Sequence, residues 1–194
     1  MTNPYEECPI YENETYLLRL VDAADAPDLL LVYSDEQAVP LFNSDNCNGD
    51  NFHYTSLERM QKAIEFWLRE YSCKGFVRWT IINKTINQAV GTIELFNRKS
   101  EDYFNNCGLL RLDLRSDYEQ ETVISEILSL ILLPAFELFH CQMIATKVPS
   151  FAAKRKRAMT QFGFTDTEYN LIGGHDNKCY SNYCILQKPL SLAE

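Results

Sequence analysis

The apolar residues of this chain recur with two different periods. Between residues 57 and 71 they fall at helical spacing, at Leu57, Met60, Ile64, Trp67, Leu68 and Tyr71, which predicts an amphipathic helix. Ser56 stands directly before this segment, and serine is a preferred helix-capping residue. Between residues 107 and 115 leucines alternate with charged side chains, and this period of two predicts a half-buried strand.

The same reasoning along the whole chain predicts a mixed order of strands and helices. Strands are expected at 16–21, 76–83, 89–97, 107–115, 142–148, near 164–172 and at 178–187, and helices at about 22–30, 57–71, 121–139 and 150–164. This order indicates an α/β (α+β) fold with a mixed, mostly antiparallel sheet of about seven strands, flanked by helices on both faces. We expect one domain over residues 1–194, with its core at 15–188 and an N-terminal extension at 1–14.

Composition limits the classes of partner. The chain has 194 residues, a formal net charge of −9 and seven cysteines. A negative protein lacks the positive footprint of a nucleic-acid binder, and no run of about 20 apolar residues is present to span a membrane. The first residues show no basic start followed by an apolar run, so we expect no signal peptide and a cytoplasmic protein. The cysteines show no metal-binding spacing, which indicates reduced thiols and no metal site.

The stretch LDLRSDYEQETVISEI, residues 112–127, begins as a strand and ends as a helix. A strand that runs into a helix N-terminus offers an anion unpaired N–H groups and a favourable dipole. Such sites usually contain glycine, because a residue without Cβ lets a phosphate approach the backbone. This turn has no glycine and carries Glu119 and Glu121. It is either a phosphate site without glycine or a plain turn with glutamate in the first helical turn.

Five stretches carry a resemblance that covers roughly residues 16–188. They are YLLRLVDAADAPDLL, WTIINKTINQAVGTIELFN, DYEQETVISEILSLILLPAFELFHCQMIATKV, KRAMTQFGF and YSNYCILQKP. In this order they resemble the GCN5-related N-acetyltransferases (GNAT), specifically the branch of ribosomal-protein alanine acetyltransferases. The resemblance implies a GNAT-like sheet, acetyl-CoA as co-substrate and a primary amine as acceptor.

The resemblance also implies where the coenzyme binds. In the family the central strand diverges from its neighbour and frees main-chain groups for pantetheine, and the next turn, Arg/Gln-x-x-Gly-x-Gly/Ala, wraps the pyrophosphate. The implied coenzyme residues are Leu112, Asp113, Leu114, Tyr118, Glu119, Gln120, Glu121, Thr122, Val123 and Arg155. Glu119 replaces the family's Arg/Gln and Thr122 its first glycine, and a shift of one residue does not restore the motif. Arg155 is either a phosphate ligand or part of an exposed basic helix face.

Amine acetylation needs a base for the ammonium proton, N–H groups that polarise the thioester carbonyl, and an acid for the leaving thiolate. Glu94 is the first candidate base, because a carboxylate near a strand end beside the central strand can be partly desolvated, with a raised pKa. Asp113 and His53 are further candidates, the latter in a loop expected to line the acceptor cleft. Tyr183 is a candidate acid. The alternatives are a solvated glutamate, an ordinary loop histidine and a buried core tyrosine.

Two functions are consistent with these features. The first is an N-acetyltransferase that moves an acetyl group from acetyl-CoA to a primary amine of a small molecule or a protein N-terminus, acting as a monomer or homodimer. The second is a degenerate acetyltransferase fold that serves as a non-catalytic binding or structural module. The strand order favours the enzyme, and the missing glycines favour the module.

Overall fold

The strands of the protein form one large sheet and one small hairpin. The computed structural model describes residues 3–189. Within them the strands are β1 Tyr11–Glu12, β2 Tyr16–Leu20, β3 Val77–Asn83, β4 Gln88–Arg98, β5 Cys107–Leu114, β6 Met143–Lys147, β7 Thr165–Asp166, β8 Leu171–Ile172, β9 Cys179–Tyr180 and β10 Tyr183–Gln187. The large sheet has the spatial order β1-β2-β3-β4-β5-β6-β10-β7, and β8 pairs with β9.

The α-helices lie where the sequence predicts them. They are α1 Ala26–Tyr33, α2 Leu57–Ser72, α3 Glu121–Leu138 and α4 Ala153–Gln161. The Ser56 hydroxyl accepts a hydrogen bond from the Arg59 N–H at 3.2 Å and so caps α2. Gly163 follows α4 with φ at +88°, a left-handed conformation that glycine adopts without strain. No helix in the described part of the chain is long and apolar enough to cross a membrane.

The predicted mixed, mostly antiparallel sheet is confirmed. Every neighbouring pair in the large sheet is antiparallel except β5 and β6, which are parallel and connected through α3. A parallel pair needs such a crossover, because a short turn cannot return the chain to the same edge. The last two predicted strands are each divided, into β7 and β8 and into β9 and β10. The N-terminal segment also contributes β1 to the sheet.

The two faces of the sheet differ in chemistry. Leu110, Leu112 and Leu114 of β5 pack with apolar residues of α3 and α4 in one core. The opposite face carries the polar side chains of the same strand, including Arg111 and Asp113, and these are buried as well. The expectation of a half-buried β5 is therefore wrong, because α1 and α2 cover the polar face and its charged groups find partners there.

Candidate active site

A row of charged side chains crosses three strands beneath α1 and α2. Arg78 on β3, Glu94 on β4 and Arg111 on β5 are direct cross-strand neighbours. Glu94 Oε2 accepts hydrogen bonds from Nε of Arg78 at 3.1 Å and from its Nη2, and Oε1 accepts one from Arg111 Nη1 at 2.7 Å. The guanidinium of Arg78 also lies 4.2 Å from the ring centre of Trp67 on α2.

This row keeps Glu94 ionised. Burial alone raises the pKa of Glu94, but attraction to Arg78 and Arg111 outweighs burial and lowers the pKa below its usual value. Breaking a buried ion pair from one side costs about 3–5 kcal/mol, because it leaves an uncompensated charge. Glu94 is thus a carboxylate with low proton affinity and a structural role in joining the three strands.

Asp113 lies beside this row in a different environment. Its Oδ2 accepts hydrogen bonds from the Tyr33 hydroxyl at 2.9 Å and from Arg78 Nη1 at 3.2 Å. Its Oδ1 is buried and has no hydrogen-bond partner among residues 3–189. Burial raises the pKa of Asp113 by more than Arg78 and the Tyr33 hydrogen bond lower it. Asp113 therefore holds a proton more readily than an ordinary aspartate.

A cavity of about 650 Å³ lies over the charged row. Its floor includes Arg78, Glu94 and Arg111, and its walls include the aromatic side chains Phe52, Tyr54, Phe66, Trp67, Phe76 and Phe96. This first cavity suits a ligand with an apolar body and a polar group directed at the floor.

A second cavity of about 620 Å³ lies beside the first. The two share Asn46, Phe96, Arg111 and His175 in their walls. The His175 N–H donates a hydrogen bond to Asn46 Oδ1 at 2.8 Å. This bond ties the segment that joins β8 and β9 to the loop before α2, so both segments form the cover of the site.

Two of the predicted bases differ from expectation. Glu94 lies in the middle of β4 rather than near its end, and the expected raised pKa is wrong in direction because of the two arginines. His53 is half-buried and does not line the first cavity, whereas its neighbours Phe52 and Tyr54 do. His53 is therefore not brought together with the charged row.

Tyr183 lines the second cavity, with its hydroxyl already engaged. The hydroxyl donates a hydrogen bond to Asp45 Oδ2 at 3.2 Å and accepts one from Asn43 at 3.4 Å. Burial, followed by the Asp45 charge, raises the pKa of Tyr183. These contacts match the core-tyrosine alternative. Within the described residues no group of three or more His, Cys, Asp or Glu is arranged to hold a metal ion.

The predicted coenzyme strand leaves an opening in the sheet. The pairing of β5 with β6 ends at Leu110 and Thr146, while β5 stays paired with β4 as far as Leu114. The Arg115 N–H donates a hydrogen bond to β4. Because successive residues of a strand direct their N–H and C=O groups to opposite sides, the main-chain groups of Leu112 and Leu114 point away from β4, toward the opening. The main chain of Asp113 is directed toward β4 by the same rule, and its side chain faces Tyr33.

The turn after β5 is closed by an ion pair. Arg155 on α4 donates from Nε and Nη2 to the two carboxylate oxygens of Glu119, each at 2.7 Å. Its Nη1 donates to the Leu41 carbonyl at 2.9 Å. Arg155 is 1% exposed, so the alternative of an exposed basic face is wrong for this residue. Its charge also acts on Asp113. Arg155 therefore links α4 to the turn after β5 and to the segment at Leu41.

The other predicted coenzyme residues surround this pair. The Tyr118 hydroxyl accepts a hydrogen bond from Asn83 at 3.2 Å. Gln120 directly precedes α3 and forms no capping side-chain bond, and Glu121 is the first residue of the helix. Thr122 is exposed and Val123 is half-buried. The uncapped first turn of α3 and the free edge of β5 fit a diphosphate and a pantetheine chain. The Arg155–Glu119 pair belongs to the same turn, because Glu119 lies two residues before the start of α3. The main chain thus offers the groups that acetyl-CoA requires, next to a buried ion pair.

Comparison with known proteins identifies the family. The family model "Acetyltransferase (GNAT) domain" matches residues 16–165, most of the chain. The chain belongs to the GNAT acetyltransferase family. No curated protein matches the sequence significantly. As a member of this family the protein is an acyltransferase, and the comparisons give no support to the alternative of a non-catalytic module.

Solved structures share the GNAT fold at low sequence identity. RimL, the ribosomal L7/L12 α-N-protein acetyltransferase in complex with coenzyme A, has a TM-score of 0.69 and 14% identity, over 93% of this chain and 98% of that one. Ribosomal-protein-S5-alanine acetyltransferase from Vibrio fischeri has a TM-score of 0.67 and 14% identity, over 91% and 94%. A GNAT-family acetyltransferase from Bacillus anthracis has the same score and identity, over 92% and 98%.

Sequence reasoning missed the partners of Glu94. Arg78 and Arg111 were present as the polar members of alternating strands, and a register between the strands would have aligned them with Glu94. Phe52, Tyr54 and His175 lie in irregular segments, while Phe66, Trp67, Phe76 and Phe96 lie on a predicted helix and two predicted strands whose relative positions the sequence does not give. Only the tertiary structure brings them to one cavity.

Proposed function

We propose that this GNAT protein transfers the acetyl group of acetyl-CoA to a primary amine on a small molecule or a protein N-terminus. One observation carries the proposal. On β5, Arg111 lines the first cavity, while Leu112 and Leu114 border the opening beside β6. An amine held in the cavity and a thioester held at the opening would meet across a single strand.

The residues of the chain have distinct roles in this proposal. Acetyl-CoA supplies an activated acetyl thioester when it is bound. The main chain at Leu112 and Leu114 holds the pantetheine chain and directs hydrogen-bond donors at the carbonyl. Glu94 lies at the cavity floor and is a candidate base that takes the proton through water, although Arg78 and Arg111 lower its proton affinity. Asp113 is a second carboxylate for the proton, because its raised pKa makes it the stronger base.

The cavity indicates the kind of acceptor. Its aromatic walls favour an apolar group beside the amine, and Glu70 is among its lining residues. The net charge of −9 attracts cationic amines by long-range steering. We further propose a single domain that acts as a monomer or homodimer in the cytoplasm. The seven cysteines, all within residues 3–189, are free thiols, as is usual in a reducing compartment.

Calorimetric titration with acetyl-CoA and with desulfo-coenzyme A tests the coenzyme. Binding of both at micromolar strength supports the proposal, and a flat trace at millimolar ligand refutes it. Release of the coenzyme thiol, measured over a panel of amines, then tests the acceptor. Peptides with a free N-terminus and the same peptides with an acetylated N-terminus form matched pairs. Turnover that is equal within each pair would exclude the N-terminal amine.

A further inference from the structure

Helix α4 presents basic side chains to the turn that follows β5. Arg155 pairs with Glu119, Lys154 Nζ donates to Gln120 Oε1 at 2.8 Å, and Arg157 Nε donates to Glu121 Oε2 at 2.5 Å. Three successive residues of the turn are thus held by three residues of one helix. The acidic turn and the basic run are partners, and both face the region where the main chain fits a diphosphate.

The Arg155–Glu119 pair is the buried member of this set. Arg155 is 1% and Glu119 8% exposed, whereas the side chain of Arg157 is 58% exposed. The guanidinium of Arg155 is bound in the two-pronged geometry that carboxylates and phosphates share. The first N–H groups of α3 have no capping side chain beside it. The buried cation is thus paired with Glu119, which lies two residues before the uncapped start of α3.

We propose that Arg155 binds the coenzyme diphosphate and that Glu119 occupies Arg155 until the coenzyme enters. This inference rests on the proposed function. On binding, the diphosphate replaces the Glu119 carboxylate as the two-pronged partner of Arg155, and Glu119 turns toward solvent. The exchange keeps the buried guanidinium paired throughout, which avoids the large penalty of an isolated buried charge.

The chemistry of the neighbours supports this exchange. Among residues 3–189 the Lys154 amine contacts a neutral amide and no carboxylate, so it can pair with an anion without breaking an ion pair there. Glu119 lies in the turn between β5 and α3, and Asp117 and Thr122 in the same segment are exposed, so rotation of the Glu119 side chain brings it to solvent. The missing glycine is less important under this arrangement, because a long arginine side chain reaches the phosphate where the backbone cannot approach it.

Calorimetry on the intact protein with coenzyme A and dephospho-coenzyme A tests the proposal. Arg155→Met should weaken binding of both ligands at least tenfold, because both contain the diphosphate. Glu119→Gln should tighten binding about three- to tenfold, because it removes the competing anion. Arg115→Met is the matched control, because Arg115 forms a two-pronged pair with Asp117 at the same turn but contacts Gln88 rather than α4. The affinity of Arg115→Met for coenzyme A should stay within about twofold of the wild-type value.

Thermal unfolding separates this role from a purely structural one. Without ligand, Glu119→Gln should melt below the wild type, since Arg155 loses its partner, and coenzyme A should raise its melting temperature more than that of the wild type. Equal weakening of binding by both variants would show a structural pair and overturn the proposal. Loss of the Arg155→Met effect with dephospho-coenzyme A would place Arg155 at the 3′-phosphate and overturn it as well.

The remaining outcomes are also decisive. If Arg155→Met does not fold, Arg155→Lys keeps the charge without the two-pronged geometry, and binding as tight as in the wild type would refute the proposal. If coenzyme A binds normally to Arg155→Met, the exchange is wrong while the proposed function stands. If coenzyme A binds to no variant and not to the wild type, the proposed function itself fails.

Discussion

Replacement of Glu94 by glutamine separates its catalytic role from its structural role. Glu94 accepts hydrogen bonds from two buried arginines, and glutamine keeps the size of the side chain but removes the charge. One amide oxygen still serves one guanidinium, while the amide N–H₂ faces the other. We expect the free energy of unfolding to fall by about 3–5 kcal/mol at pH 7, the usual cost of breaking a buried ion pair from one side.

The pH dependence of this loss follows from the direction of the pKa shift. The folded-state pKa of Glu94 is lowered, so its stabilisation is fully present above the unfolded pKa of about 4.3. It is lost as the pH falls through the folded pKa, which lies below that value. The difference in unfolding free energy between wild type and Glu94→Gln should therefore be constant from about pH 7 to pH 5 and narrow only below about pH 4. Urea denaturation followed by tryptophan fluorescence measures it.

The kinetic effect is independent of this stability effect. If Glu94 accepts the ammonium proton, kcat should fall about a hundredfold while coenzyme affinity changes little, as for the loss of a positioned base. Glu65→Gln is the control, because Glu65 is exposed on α2, lines neither cavity and makes no ion pair among the described residues. Unchanged kcat in a folded Glu94→Gln variant refutes the catalytic role. A stability loss that persists undiminished at pH 3 refutes the ion-pair reasoning.

Two further substitutions test the fold of the site. Arg78→Met should lower the free energy of unfolding by about 3–5 kcal/mol, because it leaves Glu94 with one guanidinium partner. Arg69→Met, at an exposed position, is the control and should change that free energy by less than about 0.5 kcal/mol. Equal effects of the two substitutions in urea denaturation would contradict the burial of the charged row. Gly91→Ala should cost about 1–3 kcal/mol by overpacking, because its Cβ would clash with the Asp113 carbonyl oxygen, whereas the Cβ of Gly174→Ala meets nothing within 4 Å. Similar melting temperatures for the two glycine variants would show that β4 and β5 can separate.

The fold was predictable because its signals are local. The period of α2, the cap at Ser56 and the glycine at position 163 each determine a helix or its end from a few residues. The resemblance then fixed the strand order. The burial of the polar face of β5 could not be predicted. The same alternation of apolar and polar residues is found whether the polar face is exposed to solvent or covered by helices, with its charges paired.

The site was predictable only in part. The divergence of β5 from β6 follows from the family resemblance and is present at Leu110. Proton affinities depend on neighbours that are distant in sequence. Glu94 was expected to have a raised pKa because burial was considered alone, and Arg111, 17 positions away in sequence, helps to reverse the sign. Asp113, one strand away with fewer cationic contacts, has the raised pKa instead.

Glu119 and Arg155 look unrelated in the sequence but form one feature of the structure. In the sequence, Glu119 replaces a residue that favours phosphate, and Arg155 lies in a basic run with no assigned partner. In the structure each is the other's partner at 2.7 Å. Either residue without the other would leave a buried charge unpaired, at a cost of several kcal/mol. The pair is therefore stable only as a unit, or with another anion in the place of Glu119. A diphosphate is such an anion, which is why an acidic turn is compatible with a coenzyme site.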